Sequence, residues 1–335
     1  MINTAPANLD LLLEGCRQQL RDAHSLVRLA GLARLMPEDI DPSSLLDEIR
    51  LCLEDPDGSV RQLAVSVLPR VGTGAVDTLI SATRTEQPLQ VRIAAVAALG
   101  RLKGLARPAI GSLIECLGDE ERNLRTNAIL SLSRIGEPAV PQLIACLGSR
   151  DENVQRGAID ALGWIGPPAM AAVEGMKMAL PECSLPVQAA GYAALVKITG
   201  DVAEGLPMLL ARLGCQEVAV RRICIERLGE LREMATSAFS SILPCLQDQS
   251  GEVRAATALA LVRIKAQCAE AVGMLIPVLS DTHPEARINA ALALATIGPA
   301  AQTALPALNP LTADPDHRTA EIAAAAIRSI EGRNT

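Results

Sequence analysis

Aromatic side chains are nearly absent from this sequence: 335 residues contain one Trp, one Tyr and one Phe. Surfaces that stack nucleic-acid bases need several rings, and this chain lacks them. Hydrophobic residues still make up 49%, so the core has to be Leu, Ile, Val and Ala, which suits thin helices packed closely. Histidine is as scarce: His24, His283 and His317 all fall at or near expected turns, and a metal centre has little to draw on. Nine cysteines include no Cys-x-x-Cys pair. Their odd total and the lack of a signal-peptide pattern point to a reducing compartment and a cytoplasmic location. No apolar run reaches the ~20 residues of a membrane span, and no glycine-rich phosphate loop occurs. Positive charge is in the minority, 31 basic against 38 acidic residues for a net −7. That balance favours solubility and argues against broad affinity for nucleic-acid phosphates.

What the chain does contain is one phrase, repeated. Its clearest copies are Val91-Arg92-Ile93-Ala94-Ala95, Val154-Gln155-Arg156-Gly157-Ala158 and Val253-Arg254-Ala255-Ala256-Thr257. Each runs on through a small residue and Leu or Ile to a closing Ile-Gly or a relative of it. Anchored on their first residues, the copies begin at Val27, Val60, Val91, Leu124, Val154, Val187, Val220, Val253, Ala286 and Thr319, spaced 30 to 33 residues apart. A fixed period of this size signals a stacked repeat array. The expectation is one continuous body over residues 1–335, with units near 8–38, 43–73, 74–104, 105–136, 137–166, 168–199, 201–231, 233–264, 266–298 and 299–331.

With the anchor as position n, apolar or small residues fall at n, n+4, n+7, n+8 and n+11: Val154, Ala158, Ala161, Leu162 and Ile165 in one copy. At 100° per residue these share one face of a helix. Gly136, Gly166 and Gly298 stand at n+12, where a left-handed cap ends such a helix. Asp57, Asp151, Ser184, Ser250 and Asp316 stand at n−3, suited to cap its start, and Pro284 follows one such site at the first helical position. A preceding helix is expected in each repeat, for example Ser43–Leu53 or Pro138–Leu147. Prolines at n−13 (Pro141, Pro207, Pro306) and n−9 (Pro244, Pro277, Pro310) predict a start or a bend there. Cys52, Cys116, Cys146 and Cys245 share n−8, in register with the core, and read as small apolar fillers.

Two charged columns run through the copies. An acid stands at n−5 (Asp22, Asp55, Glu86, Asp119, Glu182, Asp248, Asp281, Asp314) and an arginine at n+1 (Arg28, Arg61, Arg92, Arg125, Arg221, Arg254, Arg287). Acids near a helix start are favoured in any case. The preferred reading is a ladder in which each arginine reaches acids in its own and the adjacent repeat, as for Asp55, Arg61, Asp119, Arg125, Asp248, Arg254, Asp281 and Arg287. Exposed pairs would contribute only ~0–1 kcal/mol each, so the ladder's value would be register.

Paired short helices, the Val-Arg-x-x-Ala-x-x-Ala-Leu-x-x-Ile-Gly phrase and the acid six residues before the arginine resemble HEAT repeats. The short period is similar to the variety named after phycobilisome bilin lyases. Gln155 and Gln188 depart from the pattern at the arginine position, and Ala320 ends it. Tetratricopeptide repeats would need aromatics, and ankyrin repeats a Thr-Pro-Leu-His element. The resemblance implies an all-α, right-handed α-solenoid (a superhelix) of about ten helical pairs, with the second helix of each pair on the concave side.

On that geometry the face opposite the core is n+2, n+6 and n+9. In the last complete repeats it gives Ala255, Leu259, Val262, Ile288, Leu292 and Ala295, an apolar strip that marks an interaction site or is covered by curvature or the last repeat. The n+10 column reads Arg70, Arg101, Arg134, Trp164, Lys197, Glu230 and Arg263. With Trp164 inside it, Tyr192 one repeat on, and Arg156 and Asp160 on the Trp164 helix, it forms a basic ridge suited to an acidic peptide. Cations that complement helix dipoles would look the same. HEAT-like hydroxylases would need repeated His-Glu pairs, and HEAT-like DNA glycosylases a basic, aromatic groove; neither occurs. No catalytic, metal or cofactor set is expected. The expected role is a non-enzymatic scaffold or adaptor holding another protein or peptide on the concave helix face, with no nucleic acid and no membrane span. The alternative, implied by the resemblance, is a bilin lyase-like or related accessory or chaperone protein.

Overall fold

Each copy of the phrase folds as an α-helix, and these second helices are numbered here in chain order: α1 (Ser25–Arg34), α2 (Gly58–Val67), α3 (Leu89–Leu102), α4 (Arg122–Ile135), α5 (Glu152–Ile165), α6 (Leu185–Thr199), α7 (Val218–Glu230), α8 (Gly251–Ile264), α9 (Pro284–Ile297) and α10 (His317–Ile330). The computed structural model describes residues 6–264 and 269–332; the opening of the 266–298 unit and Cys268 lie outside the described residues. The helical stripe is the core. In α8, Val253, Thr257, Ala260, Leu261 and Ile264 are at most 4% exposed. Val91 is buried likewise, and Val154 is half-buried. No strand occurs among the described residues, and the fold is an all-α solenoid.

Most of the preceding helices are broken into short pieces. A 3₁₀ turn, a short α segment and a second 3₁₀ turn follow one another at Ser43–Leu45, Leu46–Leu51 and Cys52–Glu54, and again at Glu137–Ala139, Val140–Ala145 and Cys146–Gly148. Pro141, Pro244, Pro306 and Pro310 take the first two positions of such segments, where a missing N–H costs nothing. Pro207 and Pro277 instead lie inside longer helices, Val202–Leu210 and Ala269–Val278.

Helix boundaries follow the sequence, with one difference in kind. Asp57, Asp151 and Asp316 accept first-turn N–H groups, whereas Ser184 makes no such bond. At n+12 the glycines do not adopt the left-handed helical cap: Gly136 sits at φ 79°, ψ −141° and Gly166 at φ 72°, ψ −140°. That region is essentially glycine-only, and it turns the chain into the next repeat within one residue. Lys103 (φ 51°) and Arg232 (φ 52°) occupy the same repeat position without being glycine.

The chain forms two compact units, Met1–Gly175 and Met176–Thr335. In the first, α1 to α5 each pack against the next; in the second, α6 to α10 do the same. Short first-helix residues close the core from the other side, as Leu275 and Leu308 do beneath Ala290 and Leu294. The segments Gly58–Ala82 and Pro284–Ala313 have the length and hydropathy of a membrane span, but each is two or more helical pieces meeting at a positive-φ glycine, Gly72 or Gly298.

Candidate partner-binding surface

The arginine column meets the acid column across the repeat boundary. Arg28, Arg92, Arg221, Arg254 and Arg287 each reach the aspartate 27 residues ahead: Asp55, Asp119, Asp248, Asp281 and Asp314. Arg221 is bidentate, with Nε to Asp248 Oδ2 at 2.7 Å and Nη2 to Oδ1 at 2.9 Å. Its Nη1 turns back to its own repeat, but to the carbonyls of Cys215 and Gln216 at 2.7 and 2.9 Å. Arg254, whose repeat does carry an acid at n−5, likewise turns its Nη1 to the carbonyls of Asp248 and Gln249 and not to the expected Asp248 carboxylate. The reason is that the carboxylate already faces the other way, accepting the N–H two residues on, as Asp248 does from Ser250.

Arg61 and Arg125 correct the expected ladder. Among the described residues both donate to backbone carbonyls only, Arg61 to Asp55 and Pro56 and Arg125 to Asp119 and Glu120. Arg125 meets no acid because Ser149 stands where the next repeat would supply one, and Glu86 ahead of Arg61 is exposed. The pairs that do form are largely buried rather than exposed. Hydrogen bonds from Arg28, Arg221 and Arg254 hold Asp55, Asp248 and Asp281 below the usual carboxylate range. Burial pushes the Asp119 carboxyl up, but the Glu121 N–H and Arg92 outweigh it and leave it lowered. Burial also pushes the Cys52 and Cys116 thiols up to about 11, which removes them from thiolate chemistry near neutral pH.

The open face of the first unit is a single stripe stepping by four: n+2, n+6 and n+10. On α3 it carries Ile93, Ala97 and Arg101; on α4, Thr126, Leu130 and Arg134; on α5, Arg156, Asp160 and Trp164. These three helices are neighbours. Leu130 is 39% exposed and Trp164 52%, while Arg156 and Asp160 are half-buried beside them. The strip and the ridge expected from sequence are here one surface. Thr126 and Leu130 are not among the residues the sequence pattern marks, and a step back by four from Arg134 reaches them.

In the second unit the expected strip is largely closed. Ile288 and Ala255 are 2% and 6% exposed, because Asn289 Nδ2 donates to the Ala255 carbonyl at 2.9 Å and draws α9 onto α8. Ile288 therefore leaves the candidate set. Leu259, Val262 and Leu292 are half-buried, with Val262 packed against the core. Tyr192 is also half-buried, and its ring is covered by Arg212, whose guanidinium carbon lies 5.3 Å from the ring centroid. Lys197 is tied to Glu230 at 3.2 Å. Neither offers the free stacking or charge expected of it.

A family model described as HEAT repeats matches residues 46–110, 110–196 and 239–330. Among solved structures, yeast importin-β (Kap95p) is similar in fold, at 14% identity with a TM-score of 0.55 over 100% of this chain and 52% of that one. A Kap95p structure described as inducing the switch loops of RanGDP to adopt the GTP-bound conformation gives 14% identity and a TM-score of 0.50, over 100% of this chain and 56% of that one. The chain thus spans about half the length of these importins. An engineered protein shares 20% identity over 96% of this chain and 99% of its own, at a TM-score of 0.42. None of the curated proteins compared with the chain matches it.

Proposed function

The chain belongs to the HEAT-repeat family, and on that premise we propose that it is a non-enzymatic scaffold that holds a partner protein on the open stripe of α3, α4 and α5. Solenoids of this kind offer extended preformed surfaces. One observation carries the reading: Leu130 and Trp164 stand exposed on adjacent helices, and Trp164 is the chain's one tryptophan. Exposed apolar groups rimmed by charge mark interaction sites, and tryptophan is enriched among the residues that dominate them. The repeat period continues through Val154, Val187 and Val220, so both units are read as parts of one array. The cytoplasm is the proposed location.

The test is a paired substitution in the full chain. Leu130→Asp places a charge on the stripe, and Leu51→Asp places the same charge on a 68% exposed leucine of a first helix. A partner retained by the wild type and Leu51→Asp but lost by Leu130→Asp, with unchanged circular dichroism, supports the reading. A partner retained by both removes it. The lyase-like alternative predicts an absorbance shift when a bilin is added to the purified chain.

A further inference from the structure

Arg101 and Arg134 hold matching positions on adjacent helices of the stripe, and neither forms an ion pair with an acid among the described residues. Arg101 lies in the last turn of α3 and Arg134 in that of α4, at the same repeat position, and both are exposed. The two helices come close at this end. A Cβ placed on Gly100 would fall 2.5 Å from Ser131 Oγ and 2.9 Å from Ser131 Cα, and Ser131 Oγ donates to the Val96 carbonyl at 2.8 Å. Only glycine permits that approach, which brings two like charges into one field. Although Arg101 is exposed as a residue, desolvation first and the charge of Arg134 second hold its guanidinium below its ordinary pKa.

Elsewhere in this column Arg263 stands exposed with Glu230 and Thr296, not a second cation, at the neighbouring positions, and the other cations are satisfied. Arg70 donates to the carbonyls of Met36 and Ile40 at 2.8 Å, and Lys197 donates to Glu230. Arg101 and Arg134 have no hydrogen bond or ion pair among the described residues. Helix-dipole complementarity accounts for one cation at each helix end. It does not account for pressing two together where a bound anion would relieve both.

We propose that Arg101 and Arg134 clamp a carboxylate of an acidic, leucine-bearing peptide segment of the partner, whose apolar side chains rest on Leu130 and Trp164. The proposal builds on the scaffold reading and assigns the partner's chemistry. Guanidinium forks match carboxylates in plane and spacing. The same stripe carries Asp160 and Glu152, and the chain's net charge is −7. A nucleic-acid backbone would meet those acids, whereas a peptide can set one acid on the clamp and apolar groups beside it.

Trp164 emission reports occupancy directly. The full chain is titrated with a synthetic Glu/Leu peptide, its Gln/Leu counterpart, single-stranded DNA and inorganic phosphate. The expected result is a saturable shift with the Glu/Leu peptide that weakens as salt rises, and binding about tenfold weaker for the Gln/Leu peptide and for Arg101→Ala or Arg134→Ala, as for loss of one charge-assisted bond. Arg134→Glu should abolish binding while the thermal midpoint holds or rises, because a like-charge pair becomes an opposite one. No response to the Glu/Leu peptide, equal binding of the Gln/Leu peptide, unchanged affinity in the arginine variants, or a stronger response to DNA or phosphate each overturns the proposal. A captured partner lost with Leu130→Asp but kept by both arginine variants sinks the clamp and leaves the scaffold standing. One kept by Leu130→Asp sinks the scaffold reading itself.

Discussion

Removing the Arg254 guanidinium cuts four hydrogen bonds at one repeat boundary. Its Nε and Nη2 donate to Asp281 at 2.5 and 2.7 Å, and its Nη1 to the carbonyls of Asp248 and Gln249 at 2.7 and 3.1 Å. The side chains are 18% and 5% exposed, so the pair lies between two regimes. Exposed pairs contribute about 0–1 kcal/mol, and stripping the partner from a buried charge costs about 3–5 kcal/mol. In Arg254→Ala, Asp281 stays enclosed but keeps the His283 N–H at 2.8 Å, which places the loss at the lower end, about 3 kcal/mol. For a unit the size of Met176–Thr335, each kcal/mol moves the midpoint by about 2–4 °C. Thermal circular dichroism should therefore show a fall of about 6–12 °C. Arg263→Ala, at an exposed site on the same helix, should cost no more than about 0.5 kcal/mol. Arg254→Lys should fall between, since the ammonium keeps the charge and loses the fork. Equal shifts for Arg254→Ala and Arg263→Ala would refute the reasoning.

Lys103 and Arg232 hold positive φ in a region that favours glycine, so Lys103→Gly and Arg232→Gly should each raise stability by about 1–3 kcal/mol in urea titrations; a loss would show that the turn is not strained. Gly100→Ala should lower stability by about 1–3 kcal/mol, because its Cβ would press on the Ser131 backbone; a neutral result would contradict the close approach of α3 and α4. The lowered aspartates set an acid limit. Unfolded carboxyls take up protons first, near pH ~4, so the contribution of the pairs is complete above about pH 5 and is lost as pH falls through the lower folded values. Urea midpoints should drop steeply below about pH 5 in the wild type and less so in Arg254→Ala, and parallel curves would contradict the assignment.

The repeat itself was legible because a helix period inside a fixed spacing leaves few alternatives, and Val253, Thr257 and Leu261 lie buried where the 100° step puts them. What the spacing could not give was direction. It puts Arg254 within reach of two acids, Asp248 and Asp281, but not which group of each it would meet, and the backbone turn at Ser250 decides that by orienting Asp248. Glycine at n+12 signalled a helix stop without revealing its conformation, and Lys103 and Arg232 hid the same turn behind ordinary residues. Ile288 looked outward on an ideal wheel. Asn289, one residue on, bonds α9 to the α8 backbone and closes that face. Leu130 and Thr126 escape a reading that separates the apolar strip from the basic column, although a step of four joins the two.

A photo-crosslinker at Thr126 tests the central claim most directly. Thr126 is exposed between Arg122 and Leu130 on α4, and Glu115 is exposed on a first helix of the same unit. With benzophenone side chains at one site or the other, the account predicts that the Glu/Leu peptide is captured at position 126 and not at 115. Capture at 115, or at both positions alike, would contradict it.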